Sequence, residues 1–114
     1  MAYKAPQNFH IKVRIYNHEI AFGKGIAQLL RLIAQEGSLS AAYRQMGMSS
    51  SKAWKILHRA EDDLGFKLVN SRSGGSSGGS SSLTPEGSEL LGRYEAFERE
   101  IQQQAEKAFA KYFF

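Results

Sequence analysis

Three successive helices, each closed by a glycine and two of them carrying an apolar stripe at the helical period, constrain this chain more than any other feature. Ile26, Leu29, Leu30 and Ile33 stand at i, i+3, i+4 and i+7, and Glu36-Gly37 ends the run. That spacing is the buried face of an amphipathic helix over 24–36, with glycine in its usual place just past the end. Ser38 is suited to cap a short helix over 39–46 that Gly47 stops. Met48 then turns inward and Ser49 caps a third helix, along which Ala53, Ile56, Leu57, Ala60 and Leu64 repeat the period up to Gly65. Short helix, tight Met-Gly-Met-Ser turn and longer helix together make the helix-turn-helix pattern over 24–65.

Phe66 to Asn70 reads as a strand. Residues 72–82 hold only Arg, Ser and Gly, so no side chain there can join a core. Alone, such a stretch is a flexible linker. Leu83-Thr84-Pro85 follows at once, however. Leu83 can pair back against 66–70, and Thr84 caps a new helix with Pro85 at its first position. Strand, Gly/Ser tip and strand over 66–84 make a wing. A phosphate-binding loop fails here, because no Gly-Lys-Ser/Thr occurs and no helix starts on the glycines.

From 85 to 112 there is no proline after Pro85 and, past the start, only Gly92. Leu90, Tyr94, Phe97, Ile101, Ala105, Ala108 and Tyr112 run along one side, flanked by Leu91 and Phe109. Such a helix is roughly 40 Å long, more than the small domain it leaves. An overhanging apolar stripe calls for a second chain, so these residues are expected to form a homodimer helix. Upstream, Phe9, Ile11, Val13 and Ile15 alternate with His10, Lys12, Arg14 and Tyr16. Asn17-His18 then turns the chain into Glu19–Phe22, giving an expected hairpin over 9–22.

Bulk properties narrow the function. The 114 residues suit one domain, 1–114. No cysteine is present, and His10, His18 and His58 fit no metal-ligand spacing, so neither metal nor cofactor is expected. No apolar run approaches a membrane span, and the first residues lack the apolar core of a signal peptide, so a cytoplasmic protein is the default. Net charge is +4, unevenly spread. Residues 1–37 carry five basic and two acidic side chains, 38–82 six and three, and 83–114 four and six. A nucleic acid would therefore face the middle of the chain.

On a helical wheel, Ala53, Ile56, Leu57, Ala60 and Leu64 cluster within about 60° of Ala53. Ser51, Lys55, His58 and Arg59 fall opposite, with Lys52 and Trp54 on the flanks. Hydroxyls and lysines at the start of a helix suit a DNA major groove, and small serines let the backbone approach. Glu61, Asp62 and Asp63 oppose the macrodipole and would repel phosphate, which predicts that contact fades beyond Arg59. Trp54 has two readings, a half-buried packing residue or a DNA contact. Arg72 is likewise a phosphate or minor-groove contact or a solvated arginine. Arg44 can touch the backbone as the second helix crosses it. No catalytic arrangement is supported, so an enzyme is not expected. Two other classes share the pattern: a protein-interaction module, and a small-molecule sensor using a dimer cleft. Salt-dependent duplex binding that weakens on Lys52→Ala or Lys55→Ala separates a DNA reader from the interaction module, and a sensor would show as ligand-induced thermal stabilisation.

Gly-Ser-Leu-Ser-Ala-Ala at 37–42, Gly-Met-Ser-Ser-Ser-Lys-Ala-Trp at 47–54 and Leu-Gly at 64–65 resemble the winged helix-turn-helix of LysR-type regulators. The chain more closely resembles the N-terminal DNA-binding domain of ModE-type molybdate-responsive regulators. That likeness rests on Ala53-Trp54, the glycine-rich stretch after Arg72 ending in Leu83-Thr84-Pro85-Glu86-Gly87, and the N-terminal hairpin. The resemblance implies a mainly α fold with small β elements: a winged helix-turn-helix with an N-terminal hairpin and a long C-terminal dimerisation helix. It implies a homodimeric regulator on double-stranded DNA. Its DNA-facing residues would be Ser49, Ser50, Ser51, Lys52, Trp54 and Lys55, with the wing from Arg72 through Ser73 and Gly74. Family members often carry an aromatic and a basic residue where Ser50 and Ser51 stand, so their operators do not transfer. Direct molybdate binding is not expected, because the oxyanion-binding region of such regulators follows the dimer helix and this sequence stops at Phe114.

Overall fold

Each helix begins and ends where its caps dictate. In a computed structural model, which describes residues 2–72 and 79–114, α1 spans Lys24–Glu36, α2 Leu39–Gln45 and α3 Ser50–Leu64. Strand β1 is Val69–Arg72, β2 is Ser80–Leu83, and α4 is Pro85–Phe113. Gly37 and Gly65 close α1 and α3 at φ 70 and 84, a left-handed backbone that a Cβ would strain. Ser38, Ser49 and Thr84 each accept a backbone N–H at the next helix start.

The apolar faces meet in one core. Leu29, Leu30 and Ile33 of α1, Ala42 of α2, Ala53, Leu57 and Ala60 of α3, and Leu91 of α4 are buried together with Phe22 and Leu68. The alanines let helices approach closely, and the leucines fill the space between them. An Arg31–Glu95 ion pair adds a polar link from α1 to α4 at the surface.

The wing is an antiparallel pair with Val69 opposite Leu83 and Arg72 opposite Ser80. It starts later than the sequence suggests. Phe66 to Leu68 are not strand, because the N–H groups of Leu68 and Val69 donate to the Glu61 carboxylate, at 2.7 and 3.3 Å. At the other side, Ser80 to Ser82 are paired as well as Leu83, since a ladder needs backbone groups and no apolar side chain. The Ser81 N–H also donates to the Gly37 carbonyl at 2.9 Å, anchoring the wing on the end of α1.

The wing base and the start of α4 are one knot. Thr84 N–H donates to the Leu68 carbonyl and Thr84 Oγ1 to that of Lys67, at 2.9 and 2.6 Å. Gly87 N–H returns a bond to Thr84 Oγ1 at 2.9 Å. Helix and wing are so close that a Cβ on Gly87 would stand on the Leu68 carbonyl, with Leu68 Cα at 3.0 Å.

Two expectations need correction. The hairpin over 9–22 is reduced to one bridge, Ile15 to Phe22, with an N–H···O bond of 2.9 Å. The earlier residues have other partners. Tyr94 donates its hydroxyl to the Val13 carbonyl at 2.7 Å, Phe9 packs on Phe109 at 5.0 Å, and the Tyr3 hydroxyl reaches the Phe113 carbonyl at 3.2 Å. The N-terminal segment thus runs antiparallel along α4. The second correction concerns Tyr94, expected to face a second chain. It is buried in its own chain's core, edge-on to Phe22 at 5.1 Å, because this part of the stripe faces inward before α4 leaves the domain. Burial and the adjacent Glu98 push its phenol up to about 12. Leu90 is half-buried against the same core, Ile101 and Ala105 are half-buried further along α4, and Phe97, Ala108 and Tyr112 are exposed.

A candidate nucleic-acid interface

Helix α3 offers its first turns to solvent. Ser49 Oγ accepts from the Lys52 N–H at 3.2 Å and lies 3.3 Å from Ser51 Oγ, which fixes the start of the helix. Ser49, Ser50, Ser51, Lys52, Trp54 and Lys55 are all exposed. Ala53 between them is fully buried, so the helix is pinned by one face while its polar face stands free. Arg44, in the last turn of α2, and Arg72, at the end of β1, are exposed as well. Ser73 and Gly74 lie outside the described residues.

Trp54 is 54% exposed, too open for a packing anchor. Its indole stacks on the ring of His58, one turn along, at 4.1 Å. His58 Nδ1 in turn lies 3.4 Å from Glu61 Oε1. The indole is thereby held in one pose on the helix surface, leaving its outer face open.

The acids at the end of α3 have roles that helix-dipole reasoning missed. Glu61 is buried and ties α3 to the start of β1. Asp63 accepts from the N–H groups of Asn17, His18 and Glu19 at 2.7, 2.8 and 2.8 Å. The Asn17 N–H above all, with those of His18 and Glu19 helping against desolvation, holds this carboxyl below its ordinary value of 3.8. Glu61 and Asp63 are two residues apart, about 200° around the helix. They therefore fasten two different elements on opposite flanks of α3, the wing on one side and the 17–19 turn on the other. The available signal was the anomaly itself: acids at the wrong pole of a helix need another reason to be there.

Arg59 also has a neighbour that the sequence did not reveal. Its Nε and Nη2 both lie 2.8 Å from Glu19 Oε1, on the turn that Asp63 holds. Both side chains are more than half exposed, so the pair is solvent-screened and open to exchange for a phosphate.

A helix-turn-helix whose second helix is buried by alanines and leucines, leaves its polar first turns free and is flanked by a two-stranded wing defines the winged helix-turn-helix class of DNA-binding domain. Residues 27–88, more than half of the chain, match the family described as bacterial regulatory helix-turn-helix protein, lysR family. The chain belongs to that family of bacterial regulatory helix-turn-helix proteins. It is 39% identical over 70 residues to the molybdenum-pterin-binding protein MopB of Rhodobacter capsulatus, covering 61% of this chain and 26% of that protein. It is 37% identical over 71 residues to the molybdenum transport protein ModE of Herbaspirillum seropedicae, covering 62% and 26%. The chain spans about a quarter of the length of these curated relatives. Among the described residues, no helix is long and apolar enough to cross a membrane.

Proposed function

We propose that this chain is a homodimeric, sequence-reading regulator of double-stranded DNA that works in the cytoplasm. The observation that carries it is the free polar face on the first turns of α3, set between two fastened flanks. Ser50, Ser51 and Lys52 would meet base edges and nearby phosphates, Lys55 would reach further along the groove, and Trp54 would lie against the sugar edge. Arg44 and Arg72 would hold phosphates on either side, and the wing tip beyond Arg72 would extend that contact. Dimerisation would use the exposed part of the α4 stripe: Phe97, Ala108 and Tyr112, with Ile101 and Ala105 beside them.

The test is fluorescence anisotropy of labelled duplexes, genomic and random, over a range of salt. A sequence-reading protein selects some duplexes over others, and log K falls with log salt. Lys52→Ala and Lys55→Ala should each weaken binding and lower that slope by about 1 if the lysine meets a phosphate. A folded protein that binds no duplex at low salt would exclude this function and favour a protein-interaction module.

A further inference from the structure

The flank of α3 away from the wing borders a groove of about 960 Å³. Its walls are the N-terminal segment, the start of α1 and one side of α3 and α4. Five of its lining side chains are cations, Lys12, Arg14, Lys24, Lys52 and Arg59, against one acid, Glu98. Arg59 is engaged by Glu19. The other four are exposed and, among the described residues, form no ion pair.

Their placement is electrostatically costly as it stands. Arg14 folds across Gly23, its Cγ 3.3 Å from where a Cβ would be, and so lies at the first turn of α1. Lys24 opens that helix, which has neither a side-chain cap nor an acid in its first turn. Two cations at the positive pole of a helix repel the helix end and each other. Lys52 continues the same line of charge onto the helix that faces DNA.

We infer that this groove takes the sugar–phosphate backbone of the duplex whose bases α3 faces, with Lys12, Arg14, Lys24 and Lys52 neutralising its phosphates. The inference rests on the DNA-binding reading above and extends it to the N-terminal segment. Two features favour DNA as the occupant. Four unpaired cations against the single carboxylate of Glu98 leave the groove with a net positive charge, matching a polyanion. The groove is also continuous with the polar face of α3 through Lys52, so a duplex seated on that face already lies at its edge. The protein then grips DNA from two sides: the wing beyond Glu61 on one flank, the N-terminal segment beyond Asp63 on the other.

The experiment uses the full chain and a duplex that the wild type selects. Lys12→Ala, Arg14→Ala and Lys24→Ala are combined, with a Lys12→Arg/Lys24→Arg control. Each lost phosphate contact should lower the slope of log K on log salt by about 1, with affinity falling roughly tenfold or more by a similar factor for every sequence. The arginine control should bind as the wild type does. Lys12→Ala and Lys24→Ala alone, at exposed side chains, carry the test should the triple variant fail to fold. A wild type that binds but variants with unchanged slope and affinity would overturn this inference and leave the DNA-binding reading intact. A wild type that binds no duplex would overturn both. Variants that lose dimerisation yet keep the slope would assign the groove to a second copy of the chain, held by Ile11 and Ile20, and overturn it too.

Discussion

At the residue scale, the molecule separates two glycines that look alike in sequence. Gly87 and Gly92 both lie in α4, but only Gly87 has backbone where its side chain would be. Gly87→Ala must push the helix off the Leu68 carbonyl and should cost about 1–3 kcal/mol. Nothing lies within 4 Å of a Cβ on Gly92, so Gly92→Ala should instead stabilise the helix by about 0.5–1 kcal/mol. Thermal denaturation of the two variants should give melting temperatures that move in opposite directions. Asp63 is the other residue with a specific expectation. Its carboxyl is depressed below 3.8 by the three N–H groups it accepts, so the tie to the 17–19 turn is complete above that value. It is lost as pH falls through the lowered value. NMR amide shifts of Asn17, His18 and Glu19 should therefore titrate together with a midpoint below 3.8, and Asp63→Ala should abolish the transition.

At the element scale, Glu61 decides where the wing begins. Its carboxylate is buried and serves the N–H groups of Leu68 and Val69. Glu61→Ala leaves those donors unpaired and should destabilise the fold by about 2 kcal/mol or more. Hydrogen exchange should quicken at Leu68 and Val69 and then along β1, while α1 amides keep their relative protection. Wing exchange unchanged from wild type would mean that the Thr84–Leu68 knot alone sets the strand. None of this could be read locally. The helices were legible because stripe and cap lie within one segment: Ile26 to Ile33 with Gly37, or Ser49 with Ala53 to Leu64. Glu61 and Asp63 take backbone N–H partners 7 to 46 residues away, and a wheel assigns them only to a surface. The alternation from Phe9 to Ile15 does mark extended chain, but extended chain can lie against a helix as well as another strand. The exposed polar face of α3 was readable from periodicity. The N-terminal cations beside it were not, because only the fold brings Arg14 and Lys24 to the flank of Lys52.

The whole molecule is long, 67 Å by 27 Å by 22 Å, because α4 continues past the core. Its own N-terminal segment covers part of the far end, through Phe9 on Phe109, but Phe97 stays 48% and Tyr112 72% exposed. Large apolar side chains along one side of a projecting helix favour a second copy. Phe97→Glu or Tyr112→Glu should shift sedimentation equilibrium toward monomer while circular dichroism stays unchanged. A variant pair that remains dimeric would move the interface off this stripe.

The knot of Leu68, Thr84 and Gly87 joins wing to α4 without an intervening loop. Two copies joined along α4 would hold their reading heads on a rigid beam. The gap between half-sites would then be set by the protein and not by the DNA. Adding or removing a base pair between half-sites should cost affinity steeply, while changing the identity of those central base pairs should cost little.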